Sequence, residues 1–368
     1  MIKFSISRDA LIHPLQMVSG VVEKRQTLPV LSNVLFVVKD GFLSLTGTDL
    51  EVELVGKIAL EGEVSEGEIT IPAKRLVDII KSLPDAAQIN FSQGEDKIVV
   101  SSGRSRFTLS TLSSDDFPNV DDEPDLLSFE IKQSKLKQLI DATSFAMAQQ
   151  DVRYYLNGML LELTGEHIRT VSTDGHRLAM GTVKSESDIT ERKQVIVPRK
   201  GILELNRLLT KPDENVTVYL SDRHIRLKTD PFTFTSKLVD GKFPDYERVL
   251  PKGGNKDVIG DRASLKTIFS RAAILANEKY RGVRINLSSG NLQVTANNPE
   301  QEEAEDNLVV DYQGEDLEIG FNVSYLLDVL NAVQGEQVKF ILSDTNSSAL
   351  IHDFDTDESV YVVMPMRL

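Results

Sequence analysis

The 368-residue sequence contains no cysteine. Disulfides, thiolate metal sites, iron–sulfur clusters and cysteine nucleophiles are therefore excluded, and a reducing compartment is favoured. No stretch approaches the roughly 18 apolar residues of a membrane span, and the N-terminus lacks the apolar core of a signal peptide. Because 40% of the residues are hydrophobic, the chain can still build real cores. We expect an acidic, folded protein of the cytoplasm.

Positive charge is scarce in two thirds of the chain. Lys and Arg total 41 against 56 Asp and Glu, which gives a net charge of −15. Residues 1–124 carry 12 basic and 19 acidic side chains, residues 125–250 carry 19 and 18, and residues 251–368 carry 10 and 19. Proteins that bind duplex DNA through counterion release usually present a basic face. This balance argues against tight, simple DNA binding but allows a local basic surface.

The sequence repeats itself about every 125 residues. The strand-like segments ITIP (69–72), VIVP (195–198) and EIGFN (318–322) each lead into an amphipathic segment, and Pro72, Pro198 and Asn322 are 126 and 124 residues apart. Proline suits a helix start because its missing N–H would be unpaired there. This period is too long for a solenoid, whose units run roughly 20–50 residues. It predicts three copies of a whole domain.

The repeats set the domain boundaries and the fold class. We predict domains at 1–124, 125–250 and 251–368, joined by exposed linkers at 115–124 and 243–251 that are rich in proline and acidic residues. Alternating apolar and polar residues, as at 33–39, 42–46 and 51–58, are typical of half-buried antiparallel strands. Each domain is therefore predicted to be α+β, with two helices packed on antiparallel sheets of about eight strands.

Several strings resemble the bacterial sliding clamps, the β subunits of DNA polymerase III. They are QTLPVL (26–31), LSLTGTDLE (43–51), GRSRF (103–107), QDVRYYLNGM (150–159), TDGHRL (173–178), TANNPEQEEA (295–304) and YVVMPMRL (361–368). The resemblance covers the whole chain. It implies three tandem clamp domains, a six-domain ring formed by a head-to-tail homodimer, and sequence-independent binding of double-stranded DNA inside the ring.

A head-to-tail dimer needs two different, complementary surfaces. The first domain offers Arg104, Arg106 and Phe107 on a predicted strand, and the third offers Ile274 and Leu275 on a predicted helix. An acidic run in the third domain, containing Glu300, Glu302, Glu303 and Glu305, complements the arginines. The alternative for this run is an ordinary solvated loop; the resemblance favours the dimer interface.

The resemblance also implies two surfaces for DNA. If helices line the ring, their basic residues should face its hole: Lys74, Arg75, Lys81, Lys135, Arg199, Lys200, Arg207, Lys266 and Arg271. The family's DNA-contacting loops match Arg25, Gln150, Arg153, Tyr154 and Tyr155. Arginine can hold a phosphate while tyrosine rings contact sugars or bases. Without the resemblance, each cation would be read as an ordinary solvated side chain, and one tyrosine as buried.

A third implied surface, the partner cleft, binds linear motifs between the second and third domains. The matching residues are Leu156, Thr173, Gly175, His176, Arg177, Leu178, Pro244, Val249, Asn322, Tyr325, Ser348, Val363, Met364, Pro365, Met366 and Arg367. Leu, Val, Met and Pro suit an apolar pocket, in which methionine adapts to varied ligands. Part of the terminal segment is also a core strand. The implied partners are the replicative polymerase, the clamp loader, repair polymerases, and ligase or mismatch-repair proteins.

Catalysis is the less favoured alternative. Asp174 and His176 are two residues apart and could share one face of a strand. The corresponding segments around Asp49 and Asn298 have no histidine, and the five histidines lack metal-ligand spacing. There is no P-loop or dinucleotide-binding glycine pattern, so no cofactor is predicted. The prediction is a non-enzymatic processivity factor of the nucleoid; a peptide-binding scaffold that never encircles DNA, and a hydrolase using Asp174 and His176, remain as alternatives.

Overall fold

The structure is a computed structural model that describes residues 1–22, 28–118, 127–185, 189 and 191–367. Six α-helices lie within these ranges, two in each third of the chain: α1 (Arg8–Val21), α2 (Ala73–Ser82), α3 (Gln133–Thr143), α4 (Arg199–Leu208), α5 (Arg262–Ala272) and α6 (Val323–Ala332). None of the helices in the described residues is long and apolar enough to cross a membrane.

Each third also contributes eight strands within the described residues, as predicted. The first third holds β1 (Lys3–Ser7), β2 (Asn33–Lys39), β3 (Phe42–Thr48), β4 (Val52–Ala59), β5 (Gly67–Pro72), β6 (Gln88–Gln93), β7 (Lys97–Ser102) and β8 (Ser105–Ser110). The second holds β9 (Leu127–Lys132), β10 (Gly158–Leu163), β11 (His167–Thr173), β12 (Arg177–Lys184), β13 (Lys193–Pro198), β14 (Asn215–Leu220), β15 (His224–Lys228) and β16 (Phe232–Lys237). The third holds β17 (Lys256–Asp261), β18 (Gly282–Ser288), β19 (Asn291–Asn297), β20 (Glu303–Val309), β21 (Leu317–Asn322), β22 (Gln337–Leu342), β23 (Ala349–Asp353) and β24 (Ser359–Val363).

The strands form antiparallel sheets that run from one repeat into the next. One eight-stranded sheet has the order β5-β2-β3-β4-β16-β15-β14-β9, and the other has the order β13-β10-β11-β12-β24-β23-β22-β17. Two four-stranded sheets have the orders β1-β6-β7-β8 and β20-β19-β18-β21. Because the shared sheets cut across the repeats, the chain divides into two compact units, Met1–Ser134 with Leu203–Leu238 and Lys135–Ile202 with Val239–Leu368.

The predicted alignment of the repeats is confirmed by strand register. Pro72 lies opposite Asn33, Pro198 opposite Gly158 and Asn322 opposite Gly282, at the same place in each sheet. Helices α2, α4 and α6 begin at the residue that follows each of the three. Asn322 caps α6 by accepting a hydrogen bond from the Ser324 N–H at 2.9 Å. The two prolines thus lie directly before the first helical residue, where the missing N–H of proline leaves no helical hydrogen bond unmade.

The two linkers are less exposed than predicted. Phe117, Phe243 and Tyr246 are 4%, 6% and 2% exposed. Phe243 and Tyr246 pack with Leu160, Val171 and other buried residues of the second repeat. Proline and acidic residues indicated an exposed boundary, but burial of these aromatic rings outweighs that preference. Residues 119–126 of the first linker lie outside the described residues.

Stacked phenylalanine rings hold the core of the first unit. The Phe4 and Phe91 rings stack with centroids 4.7 Å apart, and the Phe36 ring lies 5.9 Å from that of Phe91. We expect Phe91→Ala to lower the free energy of unfolding by about 3–5 kcal/mol through lost contacts and a cavity. Phe42→Ala is the matched control because Phe42 is 38% exposed. Urea unfolding of the full chain measures both variants. Equal losses of stability would contradict the role of the stacked rings in the core.

Candidate functional site

The second unit brings the turn after β11 to the C-terminal strand. Arg177 at the start of β12 lies opposite Val363 of β24, and Ala349 of β23 lies opposite Val363 on its other side. The Met364 N–H donates to the His176 carbonyl at 3.0 Å. Strand pairing between the second and third repeats therefore assembles the centre of the predicted partner cleft.

The turn itself is held by Asp174. Its carboxylate accepts hydrogen bonds from the His176 N–H at 2.9 Å, the Arg177 N–H at 3.1 Å and the Arg177 Nε at 3.1 Å. Thr173 Oγ1 donates to the Arg177 carbonyl at 2.6 Å, and Gly175 has a φ of +91°, which favours glycine. Asp174 thus serves as a turn cap, as Asp49 does in the first repeat, where it accepts from the Val52 N–H at 2.7 Å.

Arg177 connects this turn to the third repeat. Its Nη1 forms an ion pair with Asp328 of α6, and its Nη2 donates to the Phe145 carbonyl at 2.9 Å. The guanidinium also lies over the Tyr325 ring, 4.5 Å from the centroid. Arg177 and Tyr325 are therefore brought together as the prediction required, but the cation is already paired with two carboxylates.

The same unit contains an apolar layer around Leu178 and an open groove. Leu178 and Val362 are buried together, and Val249, Leu250 and Leu350 pack against them. The linker groove, of about 480 Å³, is lined by Arg248, Val249, Leu250, Pro251, Lys252, Gly254, Ile341, Leu342, Ser343, Ser347, Ser348 and Leu350. Val249 and Ser348 are the predicted cleft residues that line this groove.

The other predicted cleft residues occupy varied places. Leu156 does not line the linker groove but is buried in a 3₁₀ turn, and Pro244 is exposed on the linker. Asn322 is the cap of α6, described above. Beyond β24, Met364 is 38% exposed, Pro365 and Met366 are half-buried, and Arg367 is exposed. The Met366 N–H donates to the Gly320 carbonyl at 2.8 Å, which holds this terminal segment across the third repeat.

Sequence reasoning missed several residues of this region. Asp328 could have been found, since it lies three positions after Tyr325 and so on the same side of α6. Tyr246, Leu250 and Leu350 carried no such signal, because only the packing of the linker and of β23 in the folded chain brings them into the cluster that contains Leu178. The Phe145 carbonyl is a backbone group whose position no sequence pattern indicates.

The predicted DNA-facing helices present fewer free cations than their sequences suggest. Lys74 and Arg75 are exposed on α2, while Arg199 and Lys200 at the start of α4 are half-buried. Arg199 Nη1 lies 3.3 Å from the Met147 carbonyl, and burial, with the Arg177 charge, lowers its pKa. Further along α4, Arg207 pairs with Glu204 at 2.8 Å, and its guanidinium lies where a side chain at Gly20 would sit.

The remaining basic residues on the helices also divide into exposed side chains and side chains paired with a carboxylate. Lys81, Lys135 and Lys266 are exposed. Arg271, at the end of α5, forms an ion pair with Asp306 of β20 at 2.8 Å. The exposed lysines are therefore available to phosphates, whereas Arg271 is already paired with a carboxylate.

The predicted DNA loop at 150–155 contains an ion pair between Arg153 and Asp151. Gln150 is exposed with a φ of +55°, and Arg153 Nε and Nη2 donate to Asp151 at 3.0 and 2.8 Å. The side-chain hydrogen bonds from Arg153 lower the pKa of Asp151 to about 2. Tyr154 is 57% exposed and meets Tyr155 edge-on at 6.0 Å, so one ring is open to a ligand. Arg25 lies outside the described residues.

The predicted dimer residues lie at two strand edges. Arg106 and Phe107 are on β8, the last strand of its sheet, and Arg104 is in the turn before it rather than on the strand. Glu303 and Glu305 are exposed on β20, also a last strand, while Glu300 and Glu302 precede it. Ile274, 76% exposed, and Leu275 were predicted on a helix, but α5 ends at Ala272 and they follow it in a turn.

Each of the three repeats matches one domain of a known protein family. Residues 2–121 match the N-terminal domain of the DNA polymerase III beta subunit, residues 130–245 its central domain and residues 247–367 its C-terminal domain. The chain belongs to the DNA polymerase III beta subunit family. The resemblance stated from the sequence, and the fold of three tandem clamp domains, are confirmed.

Known relatives extend over the whole chain. A beta sliding clamp of Pseudomonas aeruginosa is 65% identical and covers 99% of this chain and 100% of the relative; one of Escherichia coli K12 is 52% identical and covers 100% of both. The crystal structure of the P. aeruginosa sliding clamp with a ligand matches with a TM-score of 0.98, at 64% identity and with both chains fully covered. Another P. aeruginosa structure, described as bound to griselimycin, has a TM-score of 0.97, 64% identity and the same full coverage.

Family membership decides between the enzyme and non-enzyme alternatives. Members of this family are sliding clamps, and the chain is accordingly a non-catalytic processivity factor of DNA replication. The hydrolase alternative that used Asp174 and His176 is wrong. In the structure the Asp174 carboxylate is engaged by the backbone of its own turn.

The turn assignment predicts a stability difference between two variants. Asp174→Ala removes the acceptor of three hydrogen bonds, so we expect the free energy of unfolding to fall by about 1–3 kcal/mol. Asp174→Asn keeps an oxygen acceptor and should cost less than about 1 kcal/mol. Urea unfolding of the full chain measures both, and equal stability of Asp174→Ala and wild type would contradict the capping role.

Proposed function

We propose that two copies of this chain form a closed head-to-tail ring that encircles duplex DNA without reading its sequence. The ring tethers the replicative polymerase, the clamp loader, repair polymerases, and ligase or mismatch-repair proteins, which bind through the partner cleft. Its place of action is the cytoplasm, at the nucleoid. We place the domain boundaries at 1–124, 125–250 and 251–368, which the three family matches support.

The order of strands in the sheets carries the ring proposal. Strand β4 pairs with β16, and the equivalent β12 of the next repeat pairs with β24. The next equivalent pair would be β20 with β8, and each of these is the last strand of its four-stranded sheet. Joining them between two chains would give the order β21-β18-β19-β20-β8-β7-β6-β1, the same as in the two eight-stranded sheets. An edge strand with unpaired backbone groups is a ready site for such pairing.

The repeats also give the register of this contact. Leu54 lies opposite Phe234 and Ala179 opposite Tyr361, and strand pairing makes Ala304 and Phe107 their equivalents. Because the pairing is antiparallel, Phe107 would lie opposite Ala304 of the partner subunit, and Arg106 opposite Glu305 of the partner subunit. Opposite charges at facing positions stabilise a strand pair. Arg104, Glu300, Glu302 and Glu303 extend the same complementarity, and Ile274 and Leu275 supply apolar surface.

The DNA contacts that we propose are weak ones. The candidates are Arg25, Lys74, Arg75, Gln150, Arg153, Tyr154, Tyr155, Arg199, Lys200 and Arg207. Carboxylates already neutralise Arg153 and Arg207, which reduces the number of counterions that DNA binding would release. A closed ring stays on DNA by topology, so weak contacts allow it to slide. A peptide-binding scaffold that never encircles DNA is the alternative that the following experiment separates.

The first test is retention on DNA of defined topology. Labelled protein is loaded onto a nicked circle with a clamp loader and ATP, and half of the sample is then linearised. We expect retention on circles and rapid loss from linear ends, since a ring can slide off only an open end. Equal loss from both would overturn the ring and leave the scaffold as the better account.

A charge exchange tests the dimer contact. Arg106→Glu and Glu305→Arg each place like charges opposite one another, so we expect the dimer dissociation constant to rise by about tenfold or more. The double variant restores opposite charges and should return to within about threefold of wild type. Sedimentation velocity measures this, with Glu63→Arg, an exposed residue that belongs to neither β8 nor β20, as control. A double variant as weak as the singles would contradict the register.

A truncation tests the partner cleft. We propose that griselimycin, bound to the P. aeruginosa relative, binds the same cleft of this chain. Met364 is 38% exposed, so Met364→Ala should leave folding intact while weakening griselimycin binding by about tenfold. Leu112→Ala is the control because Leu112 is 42% exposed outside the cleft. Unchanged affinity by calorimetry would count against the cleft assignment.

A further inference from the structure

Glu162 is a charged residue buried in the middle repeat. It lies on β10, is 1% exposed, and accepts hydrogen bonds from Arg192 Nη2 at 2.6 Å and Gln194 Nε2 at 2.7 Å. His167 Nε2 lies 3.2 Å away and Arg169 Nη1 3.7 Å away. Burial alone would raise the pKa of Glu162, but these hydrogen bonds outweigh it and the pKa is lowered. The carboxylate is therefore buried in its ionised form.

The equivalent positions of the other repeats carry no such charge. Strand register makes Val37 and Asn286 the counterparts of Glu162. Val37 packs beside Phe117 in an apolar cluster, and Asn286 hydrogen-bonds to Gln293 at 3.2 Å. The fold at this position is thus compatible with an apolar or a neutral side chain. The buried charge belongs only to the repeat whose following linker forms the linker groove.

Tyr246 joins the buried charge to that linker. Its hydroxyl donates to the Glu162 carboxylate, 3.0 and 3.1 Å from the two oxygens, and accepts from Arg169 Nη1 at 3.0 Å and Arg192 Nη2 at 3.2 Å. Arg192 also pairs with Glu247 at 3.1 Å. Two successive linker residues are therefore tied to one buried group.

Tyr246 is close in the chain to residues that line the linker groove. Tyr246 begins a 3₁₀ turn, and the Val249 N–H donates to its carbonyl at 3.0 Å. Val249 and Leu250 line the linker groove, whereas Tyr246 does not. A shift of the Tyr246 ring would move the turn and with it the side chains that line the groove.

An apolar replacement is often as stable as a buried ionic group, while such groups can select one arrangement over others. We infer that Glu162 and Tyr246 are positioning residues that hold the linker wall of the partner cleft in its ligand-binding arrangement. This inference rests on the proposed function of the cleft. It assigns binding roles to two residues that need not touch the ligand.

The test uses the full chain with griselimycin as the probe. Tyr246→Phe removes one oxygen atom and keeps the ring in its core, so the chain should fold. We expect its dissociation constant for griselimycin to rise by about three- to tenfold. Glu162→Val introduces the residue of the first repeat and should weaken binding further, whereas Glu162→Gln keeps an acceptor for the hydroxyl and should recover most of the affinity. Asn286→Val is the matched control in the third repeat.

Hydrogen exchange separates positioning from general loosening. In Tyr246→Phe we expect the amides of 245–250 to exchange at least about tenfold faster, with those of β11 unchanged. Exchange that rises equally in β11 and the linker would overturn the inference, because the role would then be purely structural. So would unchanged griselimycin affinity in Tyr246→Phe when Met364→Ala is weakened. If wild type does not bind, or Met364→Ala binds as wild type does, the cleft proposal fails and this inference falls with it.

Discussion

The fold depends on pairing between strands of successive repeats. Without β4–β16 and β12–β24, each repeat would end in exposed edges whose unpaired backbone groups invite aggregation. The same pairing places Arg177 beside Val363 and Leu178 beside Val362, so the proposed partner cleft would be a consequence of how the sheet is completed. A binding surface built this way is as stable as the sheet beneath it.

The repeats share a backbone, and their differences lie in side chains on it. The same aspartate-capped turn follows β3 and β11, yet Val52 stands in the first repeat where Arg177 reaches Asp328 in the second. Likewise Val37, Glu162 and Asn286 share one strand position with an apolar, an ionic and an amide side chain. The residues to which we assign roles in binding therefore lie at positions where the shared sheet accommodates different side chains.

Local patterns predicted most of the fold but little of the site's chemistry. The sequence shows three features directly, because each is visible in short segments or in their comparison. These are the period of about 125 residues, the alternation in the strands and the residues before α2, α4 and α6. The burial of Tyr246, the Arg177–Asp328 pair and the Arg271–Asp306 pair join residues from different elements. No spacing rule connects such residues, and only the folded sheets bring them together. The family resemblance supplied the predicted surfaces, and the structure shows which of their groups are already engaged.

Those engaged groups are consistent with the weak DNA contacts that we propose for this acidic chain. The net charge of −15 disfavours binding from outside, and Arg153, Arg207 and Arg271 each have a carboxylate within 2.8 Å. Every neutralised cation is one fewer counterion released, so affinity is lower and depends less on salt. A protein that stayed on DNA only through its contacts with the DNA would dissociate if its affinity were low. For a ring held by topology low affinity is an advantage, because strong phosphate contacts would slow sliding.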